Sequence, residues 1–192
     1  MSLVSVIVTS HPAYQKYLSQ ALDSLKHHDQ EIILIEDGEG HLSKACNNAI
    51  SHSKGDYIVR VDADDWIAIE LIDLQKKYLD THPEIDCVWV DYWEAHQIGD
   101  KIHKLKHHPN PTLEHACGAM YRRKVWGVLK YDEELRYQES YDFWRRFERE
   151  GFKAHHIEVP LYYYRKGHNS MSTNPERDRV REQLERKYAK RM

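Results

Sequence analysis

Short β-branched runs alternate with segments of helical apolar spacing through the first half of the chain. That alternation narrows the fold more than any other feature. Residues 4–9 (VSVIVT) read as a buried strand, and Pro12 stops it. Tyr14, Tyr17, Leu18, Ala21, Leu22 and Leu25 then recur at helical spacing. A second strand is expected at 31–37, a helix at 42–53, a third strand at 57–61, a helix at 69–79 and a fourth strand at 87–93. Leu71, Ile72, Leu74 and Tyr78 supply the apolar face of the last helix. A βαβαβαβ series implies an α/β fold, a mostly parallel sheet with helices on both faces.

The second half is less regular. Residues 96–111, rich in Lys and His and closed by Pro109 and Pro111, suggest a ribbon or loop beside the sheet. A helix is expected at 141–150, a late strand at 159–165, and an exposed charged helix from Pro175 onward. At 192 residues, 41% hydrophobic and 31% charged, the chain fits one globular domain with a substantial core. The formal net charge of −3 excludes a global basic field, so nucleic acid is not an expected partner. Fourteen histidines can add positive charge in mild acid. Cys46, Cys87 and Cys117 are odd in number and form no CxxC pair, which points to free thiols in a reducing compartment. No apolar run approaches the ~20 residues of a membrane span. The start, MSLVSVIVTSHP, reads as a first strand, not a leader. The expectation is a cytoplasmic chain without an integral membrane segment, either free or peripheral to a membrane.

Ligands of open parallel α/β sheets bind beyond the carboxyl ends of the strands. Here those ends carry Thr9, Ser10 and His11, then Glu36 and Asp37, then Asp62, Asp64 and Asp65. Adjacent carboxylates repel, so folding alone gives little reason to gather them. Hydroxyls and carboxylates meeting in one crevice suit a hard divalent cation, Mn²⁺ or Mg²⁺, on a nucleotide diphosphate. A blander role is a solvated turn with one Asp capping the following helix. An EF-hand fails because Ile67 takes the position that needs Gly. Walker A, GxGxxG and GxSxG motifs are absent from the sequence.

Five segments in order, VSVIVTSH, EIILIEDGEG, SKACNNAISHSKGDYIVRVDADD, ESYDFWRRFEREGFKAHHI and LYYYRKGHNSMS, resemble the family 2 glycosyltransferases of the GT-A fold. The likeness covers about residues 4–172. It implies a single GT-A domain over 1–173, with a nucleotide-sugar half (1–95), an acceptor and catalytic half (96–173), and a charged helical tail (174–192). It also implies inverting, metal-dependent transfer from a nucleotide-diphosphate sugar to a hydroxyl. UDP is the favoured nucleotide and GDP the other option; the acceptor is a glycan, a lipid-linked sugar or a protein. By position, Thr9 and Ser10 would touch the nucleoside, Asp37 the base, and Asp62 the ribose. Asp64 would bind the metal, Asp65 would orient the donor sugar, and His168 would approach metal or diphosphate from the opposite side. Arg165 is similarly placed to reach phosphate.

The chain departs from the family pattern twice. Where the family places an Asp as base, this chain has Ser140 in QESYDFW. Glu139 is then the favoured base and Asp142 the runner-up, against a plain role as first-turn acids of a helix. A relative that has lost its base and only binds nucleotide sugars is the alternative. A sugar nucleotidyltransferase is weaker, because VTSHPAY lacks a Gly-rich basic loop. The second departure is length: EDGEG runs almost directly into HLSKACNNAI, so a helix and strand of the family are missing and one pocket wall is reduced. Lys44 and Asn47 would open the next helix near the donor, where Lys44 could meet phosphate. Trp66, Trp89, Tyr92, Trp93, Tyr141, Trp144 and Tyr162–Tyr164 could line an acceptor groove, although core packing is the expected role of most of them, Trp144 and Tyr163 included. Tyr92 and Trp93, expected at a strand end, are the better candidates among them.

Overall fold

The computed structural model describes residues 2–26, 30–36, 41–98, 101–113, 116–167 and 174–189. Strand β1 (Val4–Ser10) is buried along its whole length, and its side chains divide between two cores. Val4, Val6 and Val8 pack with Leu25 of α1 (Gln15–Leu25) and with Leu71, Ile72 and Leu79 of α3 (Leu71–Thr81). Ile7 turns the other way, toward α2 (Leu42–His52), α4 (Arg123–Val128) and α5 (Glu139–Arg149). Period-two alternation thus feeds both layers of a sandwich, and each fully buried aliphatic side chain contributes about 1.5–3 kcal/mol.

Strand β1 pairs in parallel with β2 (Glu31–Glu36) on one side and β3 (Tyr57–Asp62) on the other. The first three strand ends are therefore neighbours, as the sequence implied. Beyond β3 the sheet is mixed. Strand β7 (Met120–Arg122) inserts antiparallel between β3 and β5 (Cys87–Ile98). Strand β8 (Ala154–Lys166) runs parallel to β5, while β4 (Trp66–Ile67) and β6 (Lys101–His108) add antiparallel pairs at β8 and β5. The order is β2-β1-β3-β7-β5-β8-β4, with β6 on β5. The ribbon expected at 96–111 is present as β6.

Several expectations need correction. Strand β5 runs on to Ile98, so Tyr92 and Trp93 lie within a strand and do not end one. Strand β8 begins at Ala154, because pairing with β5 overrides the polar local sequence AHHIE. Strand β7 and helix α4 had no sequence signature of their own. The tail helix α6 (Glu176–Ala189) is also not simply exposed: Leu184 and Tyr188, four residues apart on one face, are buried, and Tyr188 packs on α5. Strand β2 lies at one end of the sheet order, with Ile32 and Leu34 exposed.

Candidate active site

The turn after β3 is tight: Asp65 N–H donates to the Asp62 carbonyl at 3.0 Å, and Ala63 N–H to the Thr9 carbonyl at 2.9 Å. This brings carboxylate oxygens of Asp62, Asp64 and Asp65 within 4.8 Å of one another. None caps the next helix, since α3 has Glu70 at its N-cap and no side-chain cap bond. The three acids have different surroundings.

Asp62 is half-buried and receives a 2.7 Å hydrogen bond from Thr9 Oγ1. The Cys117 thiol donates to its other oxygen at 2.9 Å. Beneath it lies Arg60, whose Nε stands 3.2 Å from Asp62. Burial disfavours charge on Arg60, but Asp62 together with Cys117, Tyr131 and Cys46 around it outweighs that and holds the guanidinium well above its ordinary pKa. Arg60 Nη1 also lies 3.7 Å from Glu139 Oε1. One buried cation therefore spans the end of β3 and the first turn of α5. A lone Arg inside YIVRVD was the signal for it, because a charge on a buried strand requires a carboxylate partner.

Asp65 is 1% exposed, and both of its oxygens are used inside the protein. Tyr162 OH donates to one at 2.7 Å and Arg165 N–H to the other at 2.8 Å. Desolvation, then the charges of Asp64 and Asp62, push its pKa well above the ordinary carboxylate value. Gly118 (φ +76°) makes room here, because a Cβ at that position would sit 2.5 Å from the Tyr162 ring. Asp65 thus fastens the acidic turn to β8, and at 1% exposure its carboxyl is turned into the protein and not toward a donor sugar. Arg165 is likewise consumed. Its Nε donates to the Asp64 carbonyl at 2.6 Å, its Nη atoms donate to Gln97 and Gln20, and it stacks on Tyr17 and Trp66. At 3% exposure it supports the turn from below and does not reach a phosphate. Asp64 is half-exposed.

Hard carboxylate oxygens at this spacing suit Mg²⁺ or Mn²⁺, with Asp62 and Asp64 as the members partly open to solvent. Ser10 fits a ligand too: it is 2% exposed at the end of β1, and its hydroxyl makes no hydrogen bond among the described residues.

A sequence model of glycosyl transferase family 2 matches residues 38–186, well over half of the chain. The chain belongs to glycosyl transferase family 2. It is 26% identical to the glycosyltransferase MJ1057 of Methanocaldococcus jannaschii over 85% of this chain and 70% of that one. It is 25% identical to the glycosyltransferase EpsJ of Bacillus subtilis over 97% of this chain and 67% of that one. Among solved structures, S. aureus TarS 1–349 in complex with UDP-GlcNAc has a TM-score of 0.70 at 19% identity, covering 90% of this chain and 61% of that one. The structure of S. aureus TarS gives 0.69 at 17% identity over 85% of this chain, which spans only 37% of TarS. These likenesses show that the sheet is the GT-A fold.

Within this family 2 chain, Thr9, Ser10, Asp62, Asp64 and Asp65 come together around one turn, with Glu139 joined to them through Arg60. Asp37 and His168 lie outside the described residues. Lys44 is exposed on α2, and Asn47 is turned to the Tyr131 backbone, with which it exchanges two hydrogen bonds of 2.9 Å. Of the aromatics, Trp89 and Tyr162 are core residues, Tyr141 packs edge-on to Tyr188, and Trp66 stacks on Tyr163 at 5.0 Å.

Asp142 has no exposed side-chain surface. Arg146 Nε and Lys187 Nζ approach it at 2.7 and 3.1 Å, and Tyr188 OH donates to it. Burial raises its pKa, but the bonds from Tyr188 and Arg146 outweigh burial and hold the carboxyl below its ordinary value. It is a clamp for α6 and is not open to an acceptor. Because its folded pKa is depressed, its stabilisation is present above the unfolded value of ~3.9 and is lost as pH falls through the folded value. Asp142→Ala should destabilise the protein by about 2 kcal/mol, since both cationic partners keep some access to water. Urea unfolding at neutral pH measures this, and a loss below ~0.5 kcal/mol, the range of an indifferent surface change, would contradict the clamp.

Proposed function

We propose that this chain transfers a sugar from a UDP-sugar to a hydroxyl acceptor, with inversion at the anomeric carbon. The observation that carries this reading is Arg60, which ties the donor-side carboxylate Asp62 to the candidate base Glu139. Thr9, Ser10 and Asp37 hold the nucleoside, and Asp62 faces the ribose. Asp64 holds a divalent cation, which when bound offsets charge on the leaving diphosphate. His168 approaches the same phosphates. Glu139, in the first turn of α5, takes the proton of the acceptor hydroxyl. The acceptor oxygen attacks the anomeric carbon from the face opposite the diphosphate, and the broken C–O bond's electron pair leaves with UDP. Gln138, in the left-handed region at φ 63°, precedes Glu139 and fixes where the helix and its acid begin.

Support for UDP comes from the TarS structures, which hold UDP and UDP-GlcNAc on this fold. Incubation with UDP-sugars and Mn²⁺ should release UDP slowly even without an acceptor. EDTA should abolish that release. Intact donor under all conditions would favour a nucleotide-sugar-binding relative without catalysis.

A further inference from the structure

Strand β6, KIHKLKHH, carries three Lys and three His and no acid. Its residues are exposed up to His107. The register puts Lys106 opposite Glu94 and Lys104 opposite His96 on one face, where Lys166 of β8 also pairs with His96. Glu94 is the one acid in these rows, and it is surrounded: His108 lies 3.0 Å from it, His96 3.4 Å and Lys166 3.5 Å. This face is therefore cationic on balance, within a chain whose formal charge is −3. The opposite face pairs Leu105 with Ala95 and Ile102 with Gln97. Leu105 is 48% exposed, Ile102 37% and Ile98, near the tip, 70%.

Lysines alone would be explained as protection of a sheet edge from pairing with another chain. Exposed aliphatic side chains work against that protection, so the edge is not built only to stay unpaired. A polyanion such as RNA would use the lysines and leave the aliphatics in water. An anionic bilayer lying along the open edge of β6 uses both, because side chains from either face of an edge strand reach it: the lysine heads meet lipid phosphates while the aliphatic side chains enter the headgroup boundary.

We propose that the β5–β6 ribbon is a docking edge for the surface of an anionic phospholipid membrane. The inference goes beyond sugar transfer and stands on the ribbon alone. Its consequence for the site is positional. Leu105, Ala95 and Arg165 form one row across β6, β5 and β8, so the edge lies two strands, about 10 Å, from the residue that supports the acidic turn. Docking there would hold the site near the membrane face, where a lipid-linked acceptor could reach it.

The test is co-sedimentation of the full chain with vesicles of phosphatidylcholine alone or mixed with phosphatidylglycerol. Binding is expected only to the anionic vesicles, and high salt should release it. Each Lys at an anionic surface raises partitioning about fivefold, so Lys101→Gln, Lys104→Gln and Lys106→Gln combined should weaken binding about 100-fold. Leu105→Gln should weaken it less, with the salt response retained. All four positions are exposed, and an unchanged melting temperature verifies the fold. No binding to anionic vesicles at low salt overturns the proposal. So does equal partitioning of the triple variant, or capture by RNA without any capture by vesicles.

Discussion

Glu139→Gln is expected to leave the fold and nucleotide binding intact while transfer falls by about 10²–10⁴-fold, the usual cost of removing a general base. The substitution keeps size and hydrogen-bonding reach but cannot take the acceptor proton. Arg60 loses one partner at 3.7 Å and keeps Asp62 at 3.2 Å, so the buried guanidinium stays paired. Asp142→Asn is the informative contrast. Asp142 already serves Arg146, Lys187 and Tyr188, so any loss there should follow unfolding and not the chemical step. Steady-state kinetics beside melting curves separate the two. Transfer at the parental rate in Glu139→Gln would remove it from the base role.

Asp64→Ala should sharply weaken metal-dependent binding of UDP while leaving the turn in place. The turn is held by the Asp64 carbonyl, which accepts from Arg165, and by Asp65, which is fastened to Tyr162 and Arg165. The Asp64 carboxylate is partly exposed, and a melting curve of the variant checks that the turn survives its removal. Losing one charged contact of this kind is worth about 1.5–3 kcal/mol, roughly 10- to 100-fold in affinity. Titration calorimetry with Mn²⁺ and with EDTA measures the difference. Equal affinities for parent and variant in Mn²⁺ would take the metal away from Asp64.

The first three strands and their acidic ends were legible because each is a local pattern: a β-branched run, then hydroxyls or carboxylates. Long-range pairing was not legible. Strand β7 is three residues long and exists because β3 and β5 both pair with it. The stretch AHHIE is polar yet becomes strand beside β5. Asp142 reads as a first-turn acid until Lys187 and Tyr188, more than forty residues on, close over it. Asp65 reads as an acid open to the donor sugar until β8 covers it with Tyr162 and Arg165. Tertiary contacts assign different work to neighbouring carboxylates, and one-dimensional spacing does not carry that information.

The most direct test of the account is NMR of a UDP-sugar incubated with this chain and Mn²⁺, with no acceptor present. Water then stands in for the hydroxyl. Metal-dependent release of UDP is expected, with the free sugar appearing first in the anomeric configuration opposite to that of the donor. Release with retained configuration would contradict a single displacement assisted by Glu139. A donor that stays intact while UDP binds would contradict catalysis itself.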